Sequence, residues 1–158
     1  MGFRNFQPSF DNDPPDILHM TPTSSATLAL GEPIQRNSGT PSQIEAHDGG
    51  ATVTGIVGTA LGTVASGTVP HPGTKVMVAL ANTRTLWLGQ IYDVSASAVA
   101  TAAVATHEGV QYGMVEPTAG EWYVDEEDES NVVLTVVRVL TQINCVLFRW
   151  LESAIEAT

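Results

Sequence analysis

Residues 132–140, Val-Val-Leu-Thr-Val-Val-Arg-Val-Leu, and residues 143–151, Ile-Asn-Cys-Val-Leu-Phe-Arg-Trp-Leu, are the two runs on which the fold class turns. β-Branched, aliphatic and aromatic side chains dominate both, and such side chains fit a pleated, half-buried surface, so both runs are read as strands. Toward the N-terminus, similar runs occur at Glu121–Asp125, Gln111–Val115, Thr85–Tyr92, Lys75–Ala81, Thr52–Val57 and Ala26–Leu30. The breaks between them carry turn chemistry: Gly31-Glu32-Pro33, Asp48-Gly49-Gly50, Pro70-His71-Pro72-Gly73, residues 81–84 and Thr118-Ala119-Gly120. Short strands with frequent turns and no βαβ rhythm predict a mainly β chain folded as an antiparallel β-barrel or sandwich. Residues 94–105 fit either an alanine-rich helix or a period-two strand, and the reading leans to an extended segment. Gly58–Gly73, rich in Gly, Thr, Ser and Ala, reads as a long mobile loop.

A chain of 158 residues has the size of one domain with one core. No apolar stretch approaches the roughly 20 residues that span a bilayer, which predicts a soluble protein. Residues 1–10 lack the apolar centre of a secretory signal, which predicts synthesis in the cytoplasm. Seventeen acidic residues against six basic ones leave a net charge of -11, and Lys75 is the sole lysine. Neutralising nucleic-acid phosphates or an anionic membrane surface takes clustered Lys and Arg, so both partner classes are excluded. Charged residues are 15% of the chain, against about 25% in typical domains. A surface this poor in charge suits burial against neighbouring subunits.

Residues 1–24 hold Pro8, Pro14, Pro15 and Pro22 with Asp11, Asp13 and Asp16 between them, and follow neither helical nor strand period. They are read as an extended N-terminal arm preceding a β-barrel domain at residues 25–158. Stretched out, such an arm reaches roughly 80 Å at about 3.3–3.6 Å per residue. Its apolar side chains, Phe3, Phe6, Phe10, Ile17, Leu18 and Met20, are too many for an inert linker and are the candidate partner contacts.

Local signatures of catalysis are missing: the chain has no G-x-S-x-G, G-x-x-x-x-G-K-[ST], H-E-x-x-H, C-x-x-C or G-x-G-x-x-G. Residues 55–62 are glycine-rich but contain no lysine to meet a phosphate. His19, His47, His71 and His107 lie in four separate segments without metal-ligand spacing and read as isolated loop histidines. The single Cys145 sits in an apolar run and reads as a small buried hydrophobe. Residues 125–129, Asp-Glu-Glu-Asp-Glu, lack the glycine of a calcium-binding loop and read as a solvated hairpin loop, with a contact for a partner's Arg or Lys, or a weak divalent-ion site where copies meet around a symmetry axis, as the functional alternatives. Arg138 and Arg149 stand on the two closing strands, where they can project toward acidic groups within the chain or across an interface. No enzyme activity, catalytic residue, cofactor or metal is expected.

The extended arm, Ala29-Leu30-Gly31-Glu32-Pro33-Ile34, Thr54-Gly55-Ile56-Val57-Gly58, Tyr112-Gly113-Met114-Val115 and the closing Val-rich strand pair together resemble the small decoration, or cement, proteins of tailed-bacteriophage heads. The resemblance covers roughly residues 26–151. It implies a compact β-barrel attached to the outer face of the major capsid protein lattice, often as a trimer near threefold axes, with a terminal arm reinforcing the contact. It carries no catalytic residues. A tail or head–tail connector protein, and a β-barrel binding module outside any virus, are the alternative readings of the same residues.

Overall fold

A computed structural model of the chain describes residues 5–11, 13–49, 55–65 and 75–156. Among them run thirteen strands: β1 (Gln7–Pro8), β2 (Ile17–Pro22), β3 (Pro33–Arg36), β4 (Gln43–Ala46), β5 (Gly58–Ala60), β6 (Val76–Leu80), β7 (Trp87–Gly89), β8 (Ile91–Asp93), β9 (Ala98–Val99), β10 (Gln111–Thr118), β11 (Glu121–Asp125), β12 (Leu134–Leu140) and β13 (Cys145–Trp150). One helical turn, α1 (Val104–His107), follows β9. No helix among the described residues is long and apolar enough to cross a membrane.

Strands β2, β4, β3, β5 and β6 close in that order into a barrel, while β1, β7, β13, β12, β10, β11, β8 and β9 lie side by side in an eight-stranded sheet. The mainly β expectation is met. Most pairings are antiparallel, but β2 runs parallel to β4 and β8 parallel to β11.

The longest ladder is the one read first from the sequence. β12 and β13 pair from Leu134 opposite Trp150 to Leu140 opposite Cys145, and the register shifts between Val136 and Arg138. Val137 is therefore an extra residue in β12, a bulge that turns it outward. β13 starts at Cys145 because Thr141–Ile143 form a 3-10 turn and Asn144 takes a left-handed φ of 53°.

Where one core was expected there are two. Met20, Leu28, Ile34, Ile44, Val57, Val76 and Val78 fill the barrel. Phe6, Ile56, Ala79, Trp87, Trp122, Leu134, Phe148 and Trp150 belong to the core beneath the large sheet. The same stretches of chain serve both. Successive residues of an extended chain face opposite sides, so Val57 and Val78 enter the barrel while their neighbours Ile56 and Ala79 enter the other core. The barrel wall is thus also a wall of the second core.

No boundary falls at residue 24. Residues 17–22 are β2, paired with β6 from Ile17 opposite Ala79 to Met20 opposite Val76. Gln7 and Pro8 pair with Leu88 and Trp87, and Phe6 is fully buried. Proline and aspartate hid these elements from a periodicity reading: Pro22 ends β2, and Pro8 needs no ladder N–H at the sheet edge.

Other expectations are corrected in detail. Gly58–Ala60, read as part of a mobile loop, is the buried strand β5. A side chain at Gly58 would run directly into the Ala79 carbonyl oxygen, so only glycine lets β5 lie this close to β6. Residues 66–73 of that reading lie outside the described residues. The run Thr85–Tyr92 breaks at Gln90 into β7 and β8, and the extended reading of residues 94–105 gives way to a turn, β9 and α1. Ala26–Leu30 is not a strand; Leu28 alone bridges to Val64. Of Thr52–Val57, residues 52–54 lie outside the described residues and Ile56 bridges to Ile155. β3 and β4 escaped notice because each is four residues with a single Ile and no other large apolar side chain except Pro33.

Candidate partner-binding site

The two units join where the N-terminal chain crosses Leu30–Glu32. Gly31 makes the crossing feasible: its φ is +80°, and a Cβ there would sit 2.6 Å from the Phe6 carbonyl oxygen. The Phe6 N–H donates to the Gly31 carbonyl at 3.0 Å, and the Gly31 N–H donates to the Ala60 carbonyl of β5 at 2.7 Å. Asn5, itself at φ 65°, donates through Nδ2 to the Leu30 carbonyl at 3.0 Å and accepts the Trp122 backbone N–H through Oδ1 at 2.7 Å. One buried amide thereby ties the barrel side of the crossing to β11.

Glu32, only 3% exposed, completes the crossing. Its Oε2 accepts the Ala29 N–H at 2.8 Å, and its Oε1 takes a long 3.4 Å contact from the Trp122 indole N–H. Burial raises its pKa above the ordinary carboxylate value, and the Glu116 charge adds to the rise, against the opposing pull of those two donors.

Two hollows flank the crossing. On one side a cleft of about 500 Å³ is lined by Asn5, Thr27, Leu28, Glu32, Glu116 and Glu121, among others. On the other a smaller groove of about 190 Å³ is lined by Phe6, Pro8, Phe10, Leu30, Ala60 and Leu61, among others. The cleft mixes three glutamates with Leu28 and several alanines, whereas the groove is lined mainly by apolar side chains. Phe10 and Leu30 keep 56% and 52% of their surface exposed at the groove's rim.

The expected partner contacts divide accordingly. Phe6 packs edge-on against Phe148 and Trp150, with ring centroids at 5.2 and 5.6 Å, and Met20 lies in the barrel core; neither is available to a partner. Phe10, Ile17 and Leu18 are exposed, and Phe3 lies outside the described residues. Leu30, which was not among the expected contacts, is exposed beside Phe10 in the same groove. Met77, on β6, is a further exposed apolar residue.

Elsewhere the titratable groups serve the fold. His107 and His47 are buried, not in open loops. His107 holds Glu126 through Nε2 at 2.8 Å, while its Nδ1 accepts the Ala103 N–H at 2.9 Å, so both ring nitrogens are engaged. His19 lies on β2 and is exposed; His71 lies outside the described residues. No group of three or more His, Cys, Asp or Glu placed to hold a metal occurs among the described residues.

The acidic run is not a hairpin loop, because β10 lies between β11 and β12. The run crosses the end of β10 at Gly113, whose N–H donates to the Asp128 carbonyl at 2.8 Å and where a Cβ would meet the Asp128 carboxylate at 2.7 Å. Asp128 Oδ1 accepts the N–H groups of Ser130 and Asn131, and Glu127 accepts that of Ser95. Cys145 is buried, as expected, and burial pushes its thiol pKa up. Arg138 and Arg149 are exposed and make no ion pair with a described carboxylate.

Comparison with protein-family models, with curated protein sequences and with solved structures finds no match.

Proposed function

We propose that this chain is a structural virion protein that decorates and stabilises the outer surface of a phage capsid by binding major capsid protein subunits. The observation that carries the reading is the groove at the junction, where Phe10 and Leu30 stand exposed on a chain with few charges. Exposed apolar side chains beside a preformed hollow are what a docking partner buries. The charge of -11 supports a position on the outside of the shell, away from packaged DNA. The resemblance of its glycine-punctuated segments to decoration proteins supports the same placement.

On this reading the chain has no catalytic activity and takes no cofactor. It is made in the host cytoplasm, acts on the capsid exterior and assembles as a homo-oligomer, a trimer by preference. Many weakly held copies on a lattice stabilise it through effective concentration. The test is copy number: heads incubated with the purified protein are sedimented and the bound protein quantified against major capsid protein. A ratio matching the lattice is expected. Binding of only a few copies per particle, or binding to tails and not to heads, rules the reading out.

A further inference from the structure

We infer that His47-Asp48-Gly49 is a self-modification site, at which the His47 imidazole promotes closure of Asp48 onto the Gly49 backbone nitrogen to give a succinimide and, after hydrolysis, isoaspartate. This is a single event of the chain upon itself, and nothing in its chemistry depends on what the protein binds.

The sequence supplies the reacting pair. Asp48-Gly49 is the only Asp-Gly in the chain, and no Asn-Gly occurs. Closure places the nitrogen of the following residue on the aspartate Cγ, and a glycine there leaves the approach unhindered because it carries no Cβ. The fold supplies the base. The three residues follow directly on β4. The His47 N–H donates to the Pro33 carbonyl at 2.9 Å, and the imidazole meets Trp122 edge-on with ring centroids 6.1 Å apart. The His47 side chain is thus held in place, only 2% exposed, while that of Asp48 is 73% exposed and open to the water that the second step consumes.

Two contacts converge on one atom. The Gly49 N–H donates to His47 Nδ1 at 3.1 Å, and Asp48 Oδ1 lies 3.7 Å from the same Nδ1. An imide nitrogen is planar, so ring closure replaces the N–H bond by an N–Cγ bond pointing in nearly the same direction. The carboxyl group therefore stands on the side toward which the nitrogen attacks, and Nδ1 is within reach of the proton that has to leave. With Asp48 as its neutral acid, protonated from solvent, the Gly49 nitrogen attacks Cγ and its proton passes to Nδ1. The N–Cγ bond forms, the imidazolium returns the proton to the departing hydroxyl, the Cγ–O bond breaks and one water is released. Water then opens the ring. Cleavage of N–Cγ restores aspartate; cleavage between the nitrogen and the main-chain carbonyl carbon of Asp48 leaves isoaspartate.

Isoaspartate routes the main chain through Cγ and lengthens it by one methylene. Gly49 lies against Trp122, so closely that a Cβ on it would come within 3.1 Å of the indole. Displacing Gly49 uncovers a ring that is otherwise fully buried and that contacts Glu32 across the junction.

The test follows the full chain in native buffer and, at the same pH and temperature, unfolded in guanidinium chloride. Peptides spanning Asp48 are resolved by chromatography and mass spectrometry: the succinimide is lighter by one water, and isoaspartate gives a peptide of equal mass and different retention that an aspartate-specific protease does not cut at position 48. The folded chain is expected to form these products at least about tenfold faster than the unfolded one, which has the same sequence without the geometry. His47→Asn keeps an oxygen to accept the Gly49 N–H but cannot carry its proton, and is expected to slow the folded chain about tenfold or more; mere loosening of the segment would speed it instead. Asp48→Glu, whose closure needs a larger ring, is expected to give no product at this position. Tryptophan emission should move to longer wavelength in step with isoaspartate in the wild type and stay fixed in Asp48→Glu. A folded rate equal to or below the unfolded rate overturns the inference, as does a natively folded His47→Asn chain that accumulates product as fast as the wild type. If His47→Asn does not fold, the comparison of folded and unfolded wild type decides alone.

Discussion

Phe6→Ala separates a chain whose first residues belong to its own core from one whose first residues serve only a partner. Phe6 is fully buried, and a buried phenylalanine withdraws at least about 150 Å² from water. At about 25 cal/mol per Å² that is close to 4 kcal/mol, in line with the roughly 3–5 kcal/mol that Phe→Ala costs in cores. The two edge-on contacts with Phe148 and Trp150 add stabilisation that alanine cannot replace. Unfolding in urea, followed by the fluorescence of Trp87, Trp122 and Trp150, should show a loss of about 4 kcal/mol, and the melting temperature should fall by about 8–16 °C. Phe10→Ala, at a position 56% exposed, should change stability by no more than about 0.5 kcal/mol. Hydrogen exchange supplies a second reading: the Phe6 and Ser9 amides, bonded to Gly31 and Leu86, should be protected in the isolated chain. A loss below about 1 kcal/mol for Phe6→Ala, with unprotected amides, would refute the placement of this residue in the large core.

Three further outcomes are expected. Burial raises the pKa of Glu32 above its ordinary 4.5, so the folded state favours its protonated form; the associated stability is complete below pH 4.5 and is lost as pH rises through the raised value. Glu32→Gln should therefore gain on the wild type in urea titrations as pH rises from 4 to 7, and a pH-independent difference would contradict this. Gly58→Ala forces a methyl group into the Ala79 carbonyl and should cost about 3 kcal/mol or leave the protein insoluble; a melting temperature within about 2 °C of wild type would show that β5 and β6 are not in this contact. Asn144 donates to the Ala100 carbonyl, accepts the Ala102 N–H and holds a left-handed φ, so Asn144→Ala should lose about 2–3 kcal/mol, and Asn144→Gly should recover about 1 kcal/mol of it.

Legibility in the sequence followed local strength of pattern. β12, β13 and β11 announced themselves because each is a run of β-branched, aliphatic or aromatic residues, and Glu121–Asp125 falls where it was read. The barrel was harder. β3 and β4 each carry a single core isoleucine in a four-residue strand, and β5 is Gly-Thr-Ala, a composition that says loop until Ala79 is known to lie against it. The N-terminal residues were misleading for a different reason: Phe6 is held by Gly31, Gly89 and Phe148, partners that no window of sequence brings together. The candidate site was half visible. Phe10 stood out as an aromatic among aspartates, whereas Glu32 looked like an ordinary turn residue until burial and the Trp122 contact marked it.

The seat of Phe6 also sets a timetable for the chain's own synthesis. The barrel is complete once residue 80 has emerged, yet Phe148 and Trp150, the rings that receive Phe6, are made some 70 residues later, about 4–14 s at typical elongation rates. Through that interval the barrel can close while the Phe6 ring waits for the two rings that cover it, and the contact that finally buries it spans almost the whole chain. So long a loop makes docking of Phe6 a late and slow step, and a nascent chain stalled between residues 80 and 150 should present Phe6 to chaperones.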